Sequence, residues 1–434
     1  MGKVSARRSR HCEDGAISSW LMSRSVLLRI AREWLGNRPL FFYVACILPA
    51  VMIYLQALAP YAPTFKAQNL SIWSGILGGA GVLLLWIFYR RTRTLNTRNA
   101  SVIALLIISW LYQVIRTQVD GSVFNLTAFL VPLILLLVLG KPPTQREASH
   151  GLLLLGYSLL LISLVSLLFG DFFWAPDGFG VSDAAESRIA LLSDIFGITT
   201  RWGGPFGSVN MAGPIGGLLI IIGIGQVHWG RWILFTGGIT VLGLAQSRTA
   251  LMATLVALVV YFLWSNQVSR SKFRRLLRLA GVGALALLWV SYVILFDPTL
   301  NGRTTIWSDF LGLLPGHFLF GAGDSGINDF VILNSGLPEF IPYFHAHSVL
   351  LDGLVRYGLL MLVLSVSIFT ISLVTTFRSI PRTGAFSFAL VVYVTMAGLT
   401  ETIHSWNYWS VYILVITSTM LMTGSTRRKV EEVQ

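Results

Sequence analysis

Residues 357–377, YGLLMLVLSVSIFTISLVTTF, form the stretch that decides the fold. This run contains no charged residue, and it is long enough to cross a bilayer as a helix, which needs about 20 apolar residues. The rest of the chain has the same character, because 54% of its 434 residues are hydrophobic and 12% are charged, with a mean hydropathy of +0.71. Soluble domains average roughly 25% charged residues. The composition therefore excludes a water-soluble globule and indicates one membrane domain.

Stretches of this kind follow one another along the chain, each bounded by charge, Pro or Gly. None shows the alternation of apolar and polar residues that a membrane barrel requires. Because only helices or closed barrels satisfy their backbone groups within lipid, the predicted fold class is all-α, a polytopic membrane protein of about twelve transmembrane helices. The predicted spans are 41–59, 71–89, 100–115, 122–139, 151–169, 207–226, 232–247, 249–264, 279–296, 357–377, 385–402 and 405–423.

Basic residues set the orientation of these spans. With the N-terminus in the cytoplasm and the sides alternating at each span, 25 of the 32 Lys and Arg residues lie on the cytoplasmic side, as the positive-inside rule requires. Both termini are then cytoplasmic, and 13 of the 19 acidic residues lie on the outer side. The net charge of +13 is mainly an orientation signal, so membrane lipids are predicted as partners and nucleic acid is not.

This orientation divides the chain into five parts. Long loops in a compact domain are usually functional, so the long outer loop between spans nine and ten is predicted to hold the catalytic segment, with short helices capping the bundle. The parts are a basic cytoplasmic N-terminus with an interfacial helix (1–40), spans one to nine with an outer loop at 170–206 (41–296), the long outer loop (297–356), spans ten to twelve (357–423) and a cytoplasmic tail (424–434).

Familiar cofactor and metal motifs are absent from the sequence or stand in the wrong context. Gly321, Gly323 and Gly326 have the GxGxxG spacing, but they follow no strand and lie in an outer loop, so they are not a dinucleotide site. The sequence has no P-loop, HExxH, GxSxG or DxD motif. Its two cysteines, Cys12 and Cys46, exclude a disulfide framework and a Cys-rich zinc site. We predict neither a cofactor nor a metal.

Arginines at the outer membrane boundary are the first candidate site residues. Arg201, Arg248 and Arg303 lie in RWGGPFGSVN (201–210), QSRTA and NGRTTIW respectively. An Arg binds phosphate oxygens with two parallel hydrogen bonds and keeps its charge in a partly dry site. Arg248 lies in nearly continuous apolar sequence, where a charge is costly without a partner or ligand. For Arg303 and Arg356, an interfacial anchor or a salt bridge is about as good an interpretation.

Two histidines, His345 and His347, are the candidates for a general base. Histidine has an ordinary pKa near neutrality, so either ring could take a proton from an attacking hydroxyl. A solvated or structural histidine remains the alternative for each of them. A metal site at this pair would need a third ligand that the sequence does not supply.

At these residues the chain resembles the O-antigen ligase/polymerase superfamily of bacterial membrane glycosyltransferases. Four motifs stand in the family's order, and the one departure is Ser348, where the family usually has Asn. The motifs are Arg-x-x-Gly-x-Phe-x-x-x-Asn from Arg201 to Asn210, Ser-Arg at Ser247–Arg248, Gly-Arg-x-x-x-Trp at 302–307 with Gly-x-Gly at 321–323, and His347 to Leu351 followed by Gly358.

The resemblance implies an enzyme of the bacterial inner membrane with a periplasmic active site. Its donor would be a glycan linked to undecaprenyl pyrophosphate, and its acceptor a hydroxyl of lipid A–core or of another glycan, with inversion at the anomeric carbon and with no metal or cofactor. Arg201, Arg248 and Arg303 would bind the pyrophosphate, and His347 would be the base. His345, Arg356 and Asn210 would bind the acceptor or support the site.

Three functions remain open at this point. Retention of four motifs favours an O-antigen ligase of lipopolysaccharide biosynthesis over the more divergent polymerases, which would extend an O-antigen or exopolysaccharide chain. A transporter of lipid-linked sugars should have polar residues at mid-membrane depth and related halves, and the sequence shows neither.

Overall fold

The structure of the protein is a computed structural model. It describes residues 39–57, 67–89, 95–119, 130–168, 202–206, 209–225, 230–265, 280–281, 283, 303–335, 346–401 and 406–424. Apart from a single 3₁₀ turn, the helices of the described residues are α-helices. They form one bundle with a small outer layer. The predicted all-α class is confirmed.

The helices of the described residues are labelled α1–α14 in chain order. A single 3₁₀ turn at Gly204–Phe206 precedes α6. The α-helices are α1 (Leu40–Ala57), α2 (Ala67–Phe88), α3 (Thr97–Val119), α4 (Leu130–Gly140), α5 (Gln145–Leu168), α6 (Val209–Ile224), α7 (Arg231–Ala245), α8 (Arg248–Ser265), α9 (Arg303–Gly312), α10 (Gly323–Ser335), α11 (Val349–Tyr357), α12 (Leu359–Thr383), α13 (Phe386–Thr400) and α14 (Trp406–Thr423).

Helices occupy or overlap every predicted span except the ninth, 279–296, which lies almost wholly outside the described residues. Four of them, α3, α5, α8 and α12, are long and apolar enough to cross a membrane, whereas α6, α7 and α13 are shorter apolar helices. The count of twelve spans and the five-part division of the chain stay predictions. The basic N-terminus, residues 1–38, lies outside the described residues.

Glycines on α6 bring its neighbours close. A Cβ at Gly216 would lie 2.6 Å from the backbone nitrogen of Leu242, and one at Gly238 would lie 2.7 Å from the Gly216 carbonyl oxygen, so α6 and α7 are in backbone contact. One turn earlier on α6, a Cβ at Gly213 would collide with Ser247. Small residues allow such approach in membrane helices. The close contact at Gly213 places the start of α8 against α6 in the bundle core.

Three short helices, α9, α10 and α11, lie between the bundle helices α8 and α12 in the chain. They share a small core of Phe310, Ile327, Ala346 and Val355. Short helices were predicted for this part of the chain, and this core attaches them to one another. The layer carries the residues that precede α11, where one predicted catalytic histidine lies.

Candidate active site

Three chain segments meet at the end of the bundle that the sequence places on the outer side. They are the start of α8 with the two-residue turn before it, the turn before α11, and the residue that follows α13. A single carboxylate joins them. Thr249 Oγ1 donates to Glu401 Oε1 at 3.0 Å, and His347 Nδ1 lies 3.3 Å from Glu401 Oε2.

Glu401 is the most buried charged group of this site, with 0% of its surface exposed. Burying a carboxylate is costly unless hydrogen bonds and an opposite charge compensate it. Its position is also unfavourable for the helix, because it caps the C-terminus of α13, where the helix dipole repels negative charge. Helix stability therefore does not explain Glu401, and its contacts with Thr249 and His347 do.

Arg248 is also a charged residue at the helix end where its charge is unfavourable. It is the first residue of α8 and is half-buried, and the positive end of the helix dipole disfavours a cation there. The helix begins at this point because Ser247 Oγ accepts a hydrogen bond from the backbone nitrogen of Ala250 at 3.4 Å. Gln246 completes the turn in a left-handed conformation, with φ 49° and ψ 40°. A cation at a helix start suits an anionic ligand.

The turn that carries His347 is held at the preceding residue, Ala346. The Ala346 backbone nitrogen donates to Asp352 Oδ1 at 3.0 Å, and its carbonyl oxygen accepts from Trp307 Nε1 at 2.6 Å. His347 itself has φ 47°, which is uncommon for a non-glycine residue. Such strain persists only where surrounding contacts over-determine it. The two bonds to Ala346 fix the direction in which the His347 ring leaves the backbone.

Arg356 makes ion pairs within the outer layer. Its guanidinium contacts Asp324, and its Nε donates to Asp352 Oδ2 at 3.2 Å. It lies in the last turn of α11, where positive charge is favourable. These contacts agree with the salt-bridge interpretation of Arg356. Asp352 is also the residue that holds Ala346, and the supporting role of Arg356 stays a prediction.

The other predicted site residues are not all described. Arg201 and His345 lie outside the described residues. Arg303 begins α9, but the side chain lies outside the description. Asn210 is the second residue of α6 and is half-buried. The structure thus brings the start of α8, which carries Arg248, together with His347, through the contacts of Thr249 and His347 with Glu401. The roles of all the predicted site residues stay predictions.

Sequence reasoning missed Glu401, Thr249 and Asp352, and gave Trp307 no role. Glu401 had a usable signal, because it is a lone acid at the end of the apolar run 385–402, where an ionisable residue suggests function. Trp307 had a signal as the last residue of the Gly-Arg-x-x-x-Trp motif at 302–307. Asp352 had none, since its role depends on which backbone atom it reaches.

Several described acids in or beside the outer layer contact basic or histidine side chains. Asp324 and Asp352 pair with Arg356, and Glu401 contacts His347. Across the described ranges, no group of three or more His, Cys, Asp or Glu residues could hold a metal ion.

Residues 233–366 match the protein family described as O-antigen ligase. This region contains most of α7, all of α8, the outer layer and His347, and it ends before Glu401. The match confirms the predicted O-antigen ligase/polymerase superfamily and supports a membrane glycosyltransferase-like enzyme. No curated protein matches the chain.

Proposed function

We propose that this superfamily member is an O-antigen ligase-type glycosyltransferase of the bacterial inner membrane. It transfers a polysaccharide from undecaprenyl pyrophosphate to a hydroxyl of lipid A–core at the periplasmic face. The observation that carries the proposal is the hydrogen bond between His347 and the buried Glu401, next to the helix start that holds Arg248. The family match supports the class of chemistry, and this geometry supports the assignment of His347 and Arg248 to it.

The pair of Glu401 and His347 is arranged to make the imidazole a base. An ionised carboxylate can only accept a hydrogen bond, so the Nδ1 atom of His347 carries the proton and Nε2 carries the lone pair. The same division of labour operates in Ser-His-Asp triads, where the acid fixes the tautomer and stabilises the imidazolium that forms. Thr249 holds the second carboxylate oxygen, so the acid cannot turn away from the ring.

Arg248 supplies the positive charge for the leaving group. Its guanidinium can bind two phosphate oxygens at once, and the positive end of the α8 helix dipole adds to the same field. A pyrophosphate gains negative charge as it departs, so preorganised donors stabilise the transition state more than the bound substrate. We assign the same function to Arg201 and Arg303.

The transfer is then a single displacement. The acceptor oxygen forms a bond to the anomeric carbon on the face opposite the leaving group, and the bond from that carbon to the pyrophosphate oxygen breaks. The pyrophosphate leaves with the electron pair, and the acceptor proton moves to His347 Nε2. The configuration inverts, and the donor itself supplies the leaving group, so the step requires neither nucleotide nor metal.

A polymerase would use the same groups with another lipid-linked repeat as the acceptor. The four motifs, in the family's order, favour the ligase. A transporter is disfavoured because the described ionisable cluster lies at helix ends rather than along a path through the bundle.

The experiment uses purified protein in detergent with the lipid-linked glycan, with and without lipid A–core. A product that requires lipid A–core supports the ligase, whereas chain lengthening with the donor alone establishes the polymerase. His347→Ala is the matched control, and activity in that variant would remove the basis of the proposal.

A further inference from the structure

An apolar segment of the outer layer, His317–Phe320, carries side chains that the rest of the described structure leaves uncovered. Phe318, Leu319 and Phe320 are 46%, 59% and 68% exposed. Since an aromatic side chain offers about 150–250 Å², these three residues expose about 300 Å² of apolar surface, which is comparable to the largest patch on a typical soluble monomer. A patch of this size usually marks a binding surface.

The position of this segment identifies what covers it. The backbone nitrogen of Leu359 donates to the Phe318 carbonyl oxygen at 2.9 Å. Leu359 is the first residue of α12, which is long and apolar enough to cross a membrane. Exposed apolar residues, among them Leu360 and Val363, continue along α12 from that point. The patch is thus the outward continuation of a surface that faces lipid.

The composition of the segment agrees with this position. No charged residue occurs from Phe310 to Gly323, although the exposed Asp309 precedes the run and Asp324 follows it. Aromatic residues are enriched where a membrane meets water. A histidine such as His317 is tolerated at that depth because its polar ring can reach the headgroups.

We propose that His317–Phe320 inserts into the outer leaflet of the membrane beside α12. The occupant of this surface is bilayer lipid. The segment is joined rigidly to the outer layer, because Ala322 donates its backbone N–H to the Val355 carbonyl oxygen at 2.7 Å. A Cβ at Gly358 would collide with the Leu319 carbonyl oxygen, so the segment also packs directly on the junction between α11 and α12.

Insertion has a consequence for the active site that rests on the proposed function. Val355 and Asp352 belong to α11, and Asp352 holds the backbone nitrogen of Ala346. The inserted segment therefore fixes the height of the His347 turn relative to the headgroups. That is the depth at which a membrane-embedded donor presents its pyrophosphate.

The test is spin labelling of the full chain reconstituted in lipid vesicles. In a background of Cys12→Ser and Cys46→Ser, single cysteines are introduced as Leu319→Cys and Phe320→Cys. Two controls bracket them: Asp309→Cys on α9 for water and Val363→Cys on α12 for lipid. Power saturation then compares the access of oxygen, which concentrates in lipid, with that of a water-soluble nickel chelate.

The proposal expects labels at 319 and 320 to be reached by oxygen and protected from nickel, as at 363. Nickel access equal to that at 309 would overturn it. Protection from both reagents would also overturn it, because another part of the chain or a second copy would then cover the patch, and dipolar coupling between labels would identify the second copy. Transfer activity plays no part in this readout, so failure here and failure of the proposed function are distinguishable.

Discussion

Replacing Glu401 by glutamine tests the centre of the proposed mechanism. The Glu401→Gln variant keeps the size of the side chain and its bond from Thr249, but it removes the negative charge 3.3 Å from His347 Nδ1. The amide can also donate to Nδ1 through its NH₂ group, which favours the tautomer that has its proton on Nε2. That tautomer cannot accept a proton from the acceptor hydroxyl.

The distance gives the attraction between the two charges that the Glu401→Gln variant loses. Two unit charges 3.3 Å apart attract by about 5 kcal/mol at an effective dielectric constant of about 20. The His347 side chain is 19% exposed, so water screens part of this attraction. We expect the transfer rate to fall by about 10²–10⁴, the usual contribution of a general base. Stability should change little, since a buried amide costs less to desolvate than a buried carboxylate.

The assay measures the transfer rate at saturating acceptor, together with the Tm and with donor binding. Asp309→Asn is the matched control, because it makes the same change of acid to amide at an exposed position of α9 and should leave the rate unchanged. Glu401→Asp tests the geometry, since it keeps the charge but shortens the reach by one methylene. A Glu401→Gln rate near that of the wild type would refute the reasoning, and so would a lost rate accompanied by lost donor binding.

Four further outcomes are expected. Arg248→Lys should lose most of its transfer activity while the protein still inserts and folds, because the Lys ammonium lacks the rigid planar fork with which a guanidinium binds two phosphate oxygens. A fully active variant would contradict the assignment. His347→Ala should abolish transfer and retain donor binding, with His345→Ala milder, as rates and a binding assay on both variants would measure; the reverse order would move the base to His345. Transfer should persist in excess EDTA, and a loss restored by one divalent ion would reveal a metal. Trp307→Phe removes the donor to the Ala346 carbonyl oxygen and should lower the rate at unchanged donor affinity; wild-type kinetics would show that this bond does not position His347.

The connection between α7 and α8 shows which features of the fold could be predicted from the sequence. Spans were predicted at 232–247 and 249–264, and the helices are Arg231–Ala245 and Arg248–Ser265. The boundary was predictable because the charged Arg248 separates two apolar runs. This difference in polarity is a local property of the sequence, so it does not depend on how the helices pack. Both ends of the turn agree within about two residues, which is the ordinary uncertainty of helix boundaries.

The partners of the site residues were less predictable. His347 and Glu401 are 54 residues apart in sequence, and two bundle helices, α12 and α13, lie between them. Their contact depends on how α13 packs against α8, and close packing on α6 contributes to that through Gly213. Side-chain patterns predict which face of a helix is buried, but they do not predict which acid a given histidine will meet.

The candidate site gathers several residues that local rules disfavour. Gln246 and His347 are the two non-glycine residues of the described chain with positive φ, and a left-handed residue of this kind costs about 1–2 kcal/mol. Arg248 and Glu401 each lie at the helix end whose dipole repels their charge, at a further cost of about 0.3–1 kcal/mol each. Natural sequences normally agree with local preferences, and departures from those preferences concentrate where function requires a particular geometry.

In the candidate site the departures occur in three segments that are distant in sequence, and the Glu401 carboxylate joins those segments through Thr249 and His347. A bundle selected for stability alone would place a glycine in each turn, an acid at the start of α8 and a base at the end of α13. Instead, Glu401 and His347 are in contact beside the start of α8, which carries Arg248. A general base and an anionic leaving group need this arrangement of an acid, a histidine and a cation.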